Sequence, residues 1–187
     1  MGRATAIGWA SRGGKAALVD LDLQRAKAVV REIVKEGGDA FAIAADITEP
    51  NAAEHVVSAT VERYGRLDFL HNNAFAPWRG ADAAVYLGDL SDAHWDHVMN
   101  VGLRAAFRLS RAAIRIMEQQ GGGTIVNMSS TAGYHAEPYI SAYAVAKAGI
   151  IQLTRATAVE YGLIISLIVL AMLTALQGVA DSNTARG

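Results

Sequence analysis

Cysteine is absent from the 187 residues, which excludes disulfides and thiolate metal sites and fits a reducing compartment, the cytoplasm. Proline occurs only three times, so little in the chain breaks a helix or a strand. Neither sign of charge dominates, since 17 basic and 18 acidic residues leave a formal charge of -1. No basic stripe with interleaved aromatics exists, and nucleic acid is discounted as a partner. The N-terminus lacks the charged, apolar and small-residue order of a signal peptide. Ala6 stands where a myristoylation signal after Met1-Gly2 needs Ser or Thr.

Long apolar runs are also scarce. The one that stands out is Leu163 to Leu176 (LIISLIVLAMLTAL), interrupted only by Ser166 and Thr174. It falls short of the about 20 residues a membrane span needs. A buried strand running into further core is the favoured reading, and a membrane tail is the lesser one. What remains is an alanine-rich chain, 52% hydrophobic and 19% charged, of a size for one domain over residues 1–187.

Periodicity predicts alternating strands and helices, the pattern of a parallel sheet with crossover helices. Ala16 to Val19 reads as a strand ending at Asp20, and Leu23 to Glu36 as an amphipathic helix stopped by Gly37-Gly38. Phe41 to Ala45 is the next strand, Pro50 to Tyr64 a helix closed by Gly65, and Leu67 to His71 a strand. Ser91 is placed to cap a long helix reaching Gln120. Thr124 to Met128 is a strand flowing into Ser129-Ser130, and Pro138 to Tyr161 a helix carrying Tyr143 and Lys147.

Tyr143 and Lys147 lie four residues apart and so share a helix face. Alone, the pair is equally what an amphipathic helix with a solvated Lys offers. Ser130 stands 13 residues upstream at a strand end, where a parallel sheet presents its ligand crevice. With IVNMSS ahead of it, the segment SSTAGYHAEPYISAYAVAK resembles the active site of the short-chain dehydrogenase/reductase family. Further matches follow in the family's order from Gly2 to Gly162.

The resemblance implies an α/β fold, a Rossmann-type doubly wound parallel sheet with helices on both faces, and hydride transfer between nicotinamide and a secondary alcohol or ketone. It implies that Tyr143 is the general acid/base. A free phenol, with a pKa of about 10, is a poor base near neutrality, and an adjacent ammonium lowers that value. Lys147 would supply that charge and reach the nicotinamide ribose, while Ser130 would hold the substrate oxygen. Asp20 would accept from the adenosine ribose hydroxyls and repel a 2′-phosphate, which favours NAD over NADP. Asp46-Ile47 would lie beside adenine, and Asn73-Ala74, within LDFLHNNA, would line the adenosine side. Gly2, Ile7 and Gly8 would belong to the phosphate loop. The family often pairs through two long helices, here Ser91 to Gln120 and Pro138 to Tyr161, which implies a homodimer or homotetramer.

The chain departs from the pattern at several points. Ala6 replaces the middle Gly of the phosphate loop, and the central strand that should precede the loop is missing. Trp9 to Lys15 is too short for a full crossover helix, with Thr5 to Ala10 as an alternative strand. Phe75 replaces the Gly after Asn-Asn-Ala. Gly102 takes the place of the catalytic Asn, with Asn100 two residues off. Val169-Leu170-Ala171 stands near the expected Pro-Gly, Thr174 is a candidate for the matching Thr, and the substrate lid and last strand are missing. Two functions stay open on the sequence: an NAD-dependent oxidoreductase, and a catalytically impaired relative that serves as a binding or interaction domain.

Overall fold

The computed structural model describes residues 1–75, 85–135 and 137–161. They fall into two compact units, Met1–Asp68 with Phe107–Gly123, and Phe69–Ala106 with the described residues from Thr124 onward.

The first unit opens with helix α1 (Gly2–Ala10), strand β1 (Lys15–Asp20), helix α2 (Leu23–Lys35), strand β2 (Asp39–Ala44) and helix α3 (Ala52–Tyr64). β1 and β2 run parallel, from Lys15 opposite Asp39 to Asp20 opposite Ala44. Asp22 starts α2 by accepting from the backbone N–H groups of Gln24 at 2.8 Å and Arg25 at 3.4 Å. Ala6, Ala10, Ala16, Ile33 and Ala40 form the core, with Ile7, Leu18, Val29 and Val30 packed against it. So many alanines let helices and strands approach closely, and Ile33 is the largest wholly buried side chain among them.

Two expectations change in this unit. Gly2 to Gly8, read as a phosphate loop, is helical, and Thr5 to Ala10 forms no strand. Arg3, Ala4, Ala6 and Ala10 are good helix formers, and Arg3 pairs with Glu32 of α2 across the helix interface. The strand predicted from Leu67 begins later, because Leu67 bonds the Gln120 side chain instead of a ladder: its N–H donates to Oε1 at 3.0 Å and its carbonyl accepts from Nε2 at 2.6 Å.

The second unit holds strand β3 (Phe69–Asn72), helix α4 (Asp92–Met99), strand β4 (Thr124–Asn127) and helix α6 (Ser141–Tyr161). Helix α5 (Ala105–Gln119) starts here and continues in the first unit. β3 and β4 are parallel, from Phe69 opposite Thr124 to Asn72 opposite Asn127. Ser91 caps α4 as predicted, accepting from His94 N–H at 3.2 Å. The helix predicted to run unbroken to Gln120 is instead interrupted by a π-helical turn at Asn100–Arg104. α6 begins after the predicted Pro138, because Tyr139 has φ 69°, left-handed backbone that a right-handed helix does not admit. Val98, Ala142 and Ala146 make the core between α4 and α6, with Leu90, Trp95, Met99, Leu103 and Tyr143 around it.

Among the described residues neither β1 nor β3 has a second strand partner. Each unit thus holds one parallel pair. Leu163 to Leu176 lies outside the described residues. Among those described, no helix is long and apolar enough to cross a membrane.

Tyr64 provides a pH-dependent tie in the first unit. Its hydroxyl donates to Asp39 Oδ1 at 3.0 Å, and its ring meets Phe41 edge-on. Burial, then the bond to Asp39, push its pKa up to about 12. The folded value exceeds the unfolded one of about 10, so this stabilisation is complete below pH ~10 and fades as pH rises through the folded value. The stability gap between wild type and Tyr64→Phe, measured by urea unfolding, should stay constant to about pH 10 and shrink above it. A gap that does not vary with pH contradicts this role.

Candidate active site

The site grows from the end of β4. Ile125 and Val126 bury the strand, and the chain then turns polar at Ser129 and Ser130. Met128 N–H donates to Asn72 carbonyl at 2.9 Å, which extends the parallel pair by one residue. Lys147, on α6, is tied to this strand end twice. Its Nζ donates to Met128 carbonyl at 2.7 Å, and its own carbonyl accepts from Ser129 Oγ at 2.8 Å. The turn Thr131–Gly133 then lies directly on α6. A Cβ at Gly133 would sit 2.9 Å from the Lys147 backbone, so only glycine allows this approach.

Lys147 is only 5% exposed, and burial pushes its pKa below the usual lysine range. Its Nζ lies 5.7 Å from the ring centroids of both Tyr143 and Phe75. Those two rings pack at 4.9 Å between centroids. Ser130 Oγ accepts from Ala132 N–H at 3.3 Å, which fixes the hydroxyl oxygen and leaves its O–H to donate elsewhere. The predicted catalytic residues Ser130, Tyr143 and Lys147 thus belong to one unit, with the strand end that carries Ser130 bonded to α6 at Lys147.

Asn73, half-buried, and Ala74, exposed, follow β3 in the same unit. The remaining predicted cofactor residues lie in the first unit. Asp20 ends β1, and its carbonyl accepts from Ala45 N–H at 3.2 Å, so it stands beside the segment leading to Asp46 and Ile47. Asp20 Oδ1 accepts from Asp22 N–H at 2.8 Å. Asp46 Oδ1 accepts from Thr48 N–H at 2.9 Å and Oγ1 at 2.6 Å, a turn that holds its carboxylate in place. Gly2, Ile7 and Gly8 are on α1, where Ile7 packs on the core and Gly8 carbonyl accepts from Arg12 Nη1 at 2.8 Å. They form no open loop.

Sequence reasoning missed two features of the second unit. The first is a chain of polar groups behind the site. Asn72 Nδ2 donates to Asn127 Oδ1 at 2.8 Å, and Asn127 Nδ2 donates to Thr154 Oγ1 at 2.9 Å. An asparagine closing the apolar run TIVN was its available signal. The second is Tyr86 and Tyr139, whose rings stand 4.7 Å apart and whose hydroxyls share a hydrogen bond of 3.0 Å. No periodicity marks that pair.

Sequence comparison places these observations. The short chain dehydrogenase family pattern matches residues 1–175. The chain belongs to the short-chain dehydrogenase family. It is 38% identical over 162 residues to an uncharacterised oxidoreductase of Thermotoga maritima, covering 86% of this chain and 61% of that one. Levodione reductase of Leifsonia aquatica is 36% identical over 165 residues, covering 87% and 60%. A metagenomic short-chain oxidoreductase whose crystal structure was determined in complex with NADP superposes with a TM-score of 0.79 at 33% identity, covering 85% of this chain and 69% of that one. The chain therefore has the Rossmann-type fold of short-chain dehydrogenases, and it spans about 60% of the length of these two sequence relatives.

Gly102, read in the sequence at the place of an asparagine, is where the structure shows what a side chain would meet. It is buried in the π-helical turn, and a Cβ would lie 3.3 Å from Ala146 Cβ, next to Lys147. Asn100 lies in the same turn. Restoring an asparagine here would press on α6 as well as supply a polar group. Gly102→Asn should lose about 1–3 kcal/mol in urea unfolding. Adding Ala146→Gly should recover part of that loss, and equal stability of Gly102→Asn and wild type would show that α6 yields freely.

Proposed function

We propose that this chain is the core of an NAD-dependent oxidoreductase that moves hydride between nicotinamide and a secondary alcohol or ketone. The observation that carries the reading is the buried Lys147 ammonium beside the Tyr143 ring, with the strand end before Ser130 bonded to the same lysine. The chain acts as one dinucleotide-binding domain, cytoplasmic in location and paired through its long helices.

Each unit carries polar atoms suited to part of a nicotinamide dinucleotide. Lys147 uses one N–H on Met128 carbonyl and has two more to offer ribose hydroxyls. Asp20 engages one carboxylate oxygen with Asp22, and the other remains to accept from ribose. Asp46, Ile47, Asn73 and Ala74 take the places that line the adenosine side in the family. The first turn of α1 at Gly2 has no side-chain cap, so its N–H groups suit a phosphate, with Ile7 and Gly8 on the same helix. Bound nicotinamide supplies or accepts the hydride.

The protein's own groups manage the proton. Tyr143 gives it to the substrate oxygen in reduction and takes it in oxidation. Lys147 favours the phenolate form by its charge, and Ser130 donates a hydrogen bond to the same substrate oxygen. The metagenomic relative was crystallised with NADP, whereas the Asp20 carboxylate here opposes a 2′-phosphate.

A second reading rests on Gly102 and Phe75. The first removes a side chain behind Lys147, and the second adds a ring beside it. On that reading the chain binds cofactor or a partner without turnover.

Kinetics of variants separate the two. Tyr143→Phe should lower kcat by about 10²–10⁴-fold while fold and cofactor affinity hold, since the ring and its packing are kept. Lys147→Ala should weaken cofactor binding as well and move the pH profile alkaline, because the phenol loses its charge partner. Undiminished turnover in the Phe variant removes the catalytic assignment. In calorimetric titrations NAD should bind more tightly than NADP, and the reverse order would take Asp20 out of its role.

A further inference from the structure

Lys147 is a buried cation. Among the described residues its Nζ donates to one carbonyl, that of Met128. Tyr143 is the titratable side chain in contact with it. The turn packed on α6 leads into Tyr134 and His135, both exposed. α4 and the π-helical turn bring Asp92, His94, Asp96, His97 and Arg104 to elements that pack on α6. Among the described residues no carboxylate forms an ion pair with Lys147. An ammonium removed from water without a counter-charge tends to lose its proton.

Phe75 answers part of that deficit. It follows Asn-Asn-Ala, where the family pattern has a residue without a side chain. Its ring is 5.7 Å from Lys147 Nζ and 4.9 Å from the Tyr143 ring. Phe75 is part-exposed, at 42%, and its ring packs on Tyr143. A ring face attracts a cation within about 6 Å, and more strongly where water is excluded.

We propose that Phe75 is a positioning residue of the Tyr143–Lys147 pair, its ring joining the Tyr143 ring in an aromatic bracket on one side of the ammonium that keeps it charged beside the phenol. The inference rests on the dehydrogenase reading for its catalytic meaning, but the bracket itself is a property of the folded chain. It requires a quadrupolar ring and not merely bulk. Leucine and methionine fill similar volume without that charge distribution, and tryptophan supplies a stronger one.

The test is a titration of Lys147 by NMR on the full chain carrying ¹³C-labelled lysine, assigned through Lys147→Arg. Phe75→Leu and Phe75→Met should each lower the Lys147 pKa by about one unit relative to wild type. Phe75→Trp should hold it at the wild-type value or above. In steady-state assays the first two variants should also move the kcat profile alkaline with little change in KM, as expected if the phenol loses part of its charge partner. A Lys147 pKa unchanged in both Leu and Met variants overturns the proposal, whatever the activity. The titration needs no turnover, so an inactive wild type counts against the dehydrogenase reading and leaves the fate of the bracket to the pKa. Should one variant fail to fold, the other decides.

Discussion

A lysine ammonium taken out of water has to be answered by the groups around it, and the second unit is arranged around that demand at Lys147. One N–H goes to the Met128 carbonyl, the Lys147 carbonyl takes the Ser129 hydroxyl, and two packed aromatic rings lie to one side of the charge. The two hydrogen bonds also fasten α6 to the end of β4. Gly133 lets the following turn lie flat on the same stretch of helix. The bonds from Asn72 through Asn127 to Thr154 fasten strand and helix a second time, further along α6. The residues that resemble a catalytic set are thus held by the interactions that stabilise the unit.

The first unit follows a different principle. Its core is mostly alanine, and close approach replaces interdigitation. Its polar residues of interest, Asp20 and Asp46, sit at or just past the carboxyl ends of two parallel strands, the place where open α/β sheets present ligands. Each carboxylate is oriented by the N–H of a residue two positions on, so local turn chemistry sets their direction.

Much of this was legible in the sequence, for identifiable reasons. α2 declared itself through Ala26, Val29, Val30 and Ile33 at helical spacing, and the capping of α4 through Ser91. The apolar runs ending at Asp20 and Ser129 marked strands whose polar ends carry the candidate site. What escaped was conformation decided by neighbours. The run Gly2 to Ala10 carries glycines that fit a loop, yet its alanines pack as a helix against α2 and β1. A π-helical turn leaves no periodic trace in HVMNVGLRAAF, and neither does the left-handed backbone of Tyr139, whose ring meets Tyr86. The contact of Phe75 with Tyr143 and Lys147 joins residues about seventy positions apart, beyond the reach of any local pattern.

The central claim is that this chain's tyrosine and lysine serve hydride transfer. The most direct measurement follows deuterium from NADH labelled at its transferable position into the alcohol formed from a panel of aliphatic and cyclic ketones, read by mass spectrometry. The account predicts labelled alcohol with the wild-type chain and none above background with Tyr143→Phe. Cofactor bound by the wild-type chain, with no label appearing in any alcohol, would contradict it.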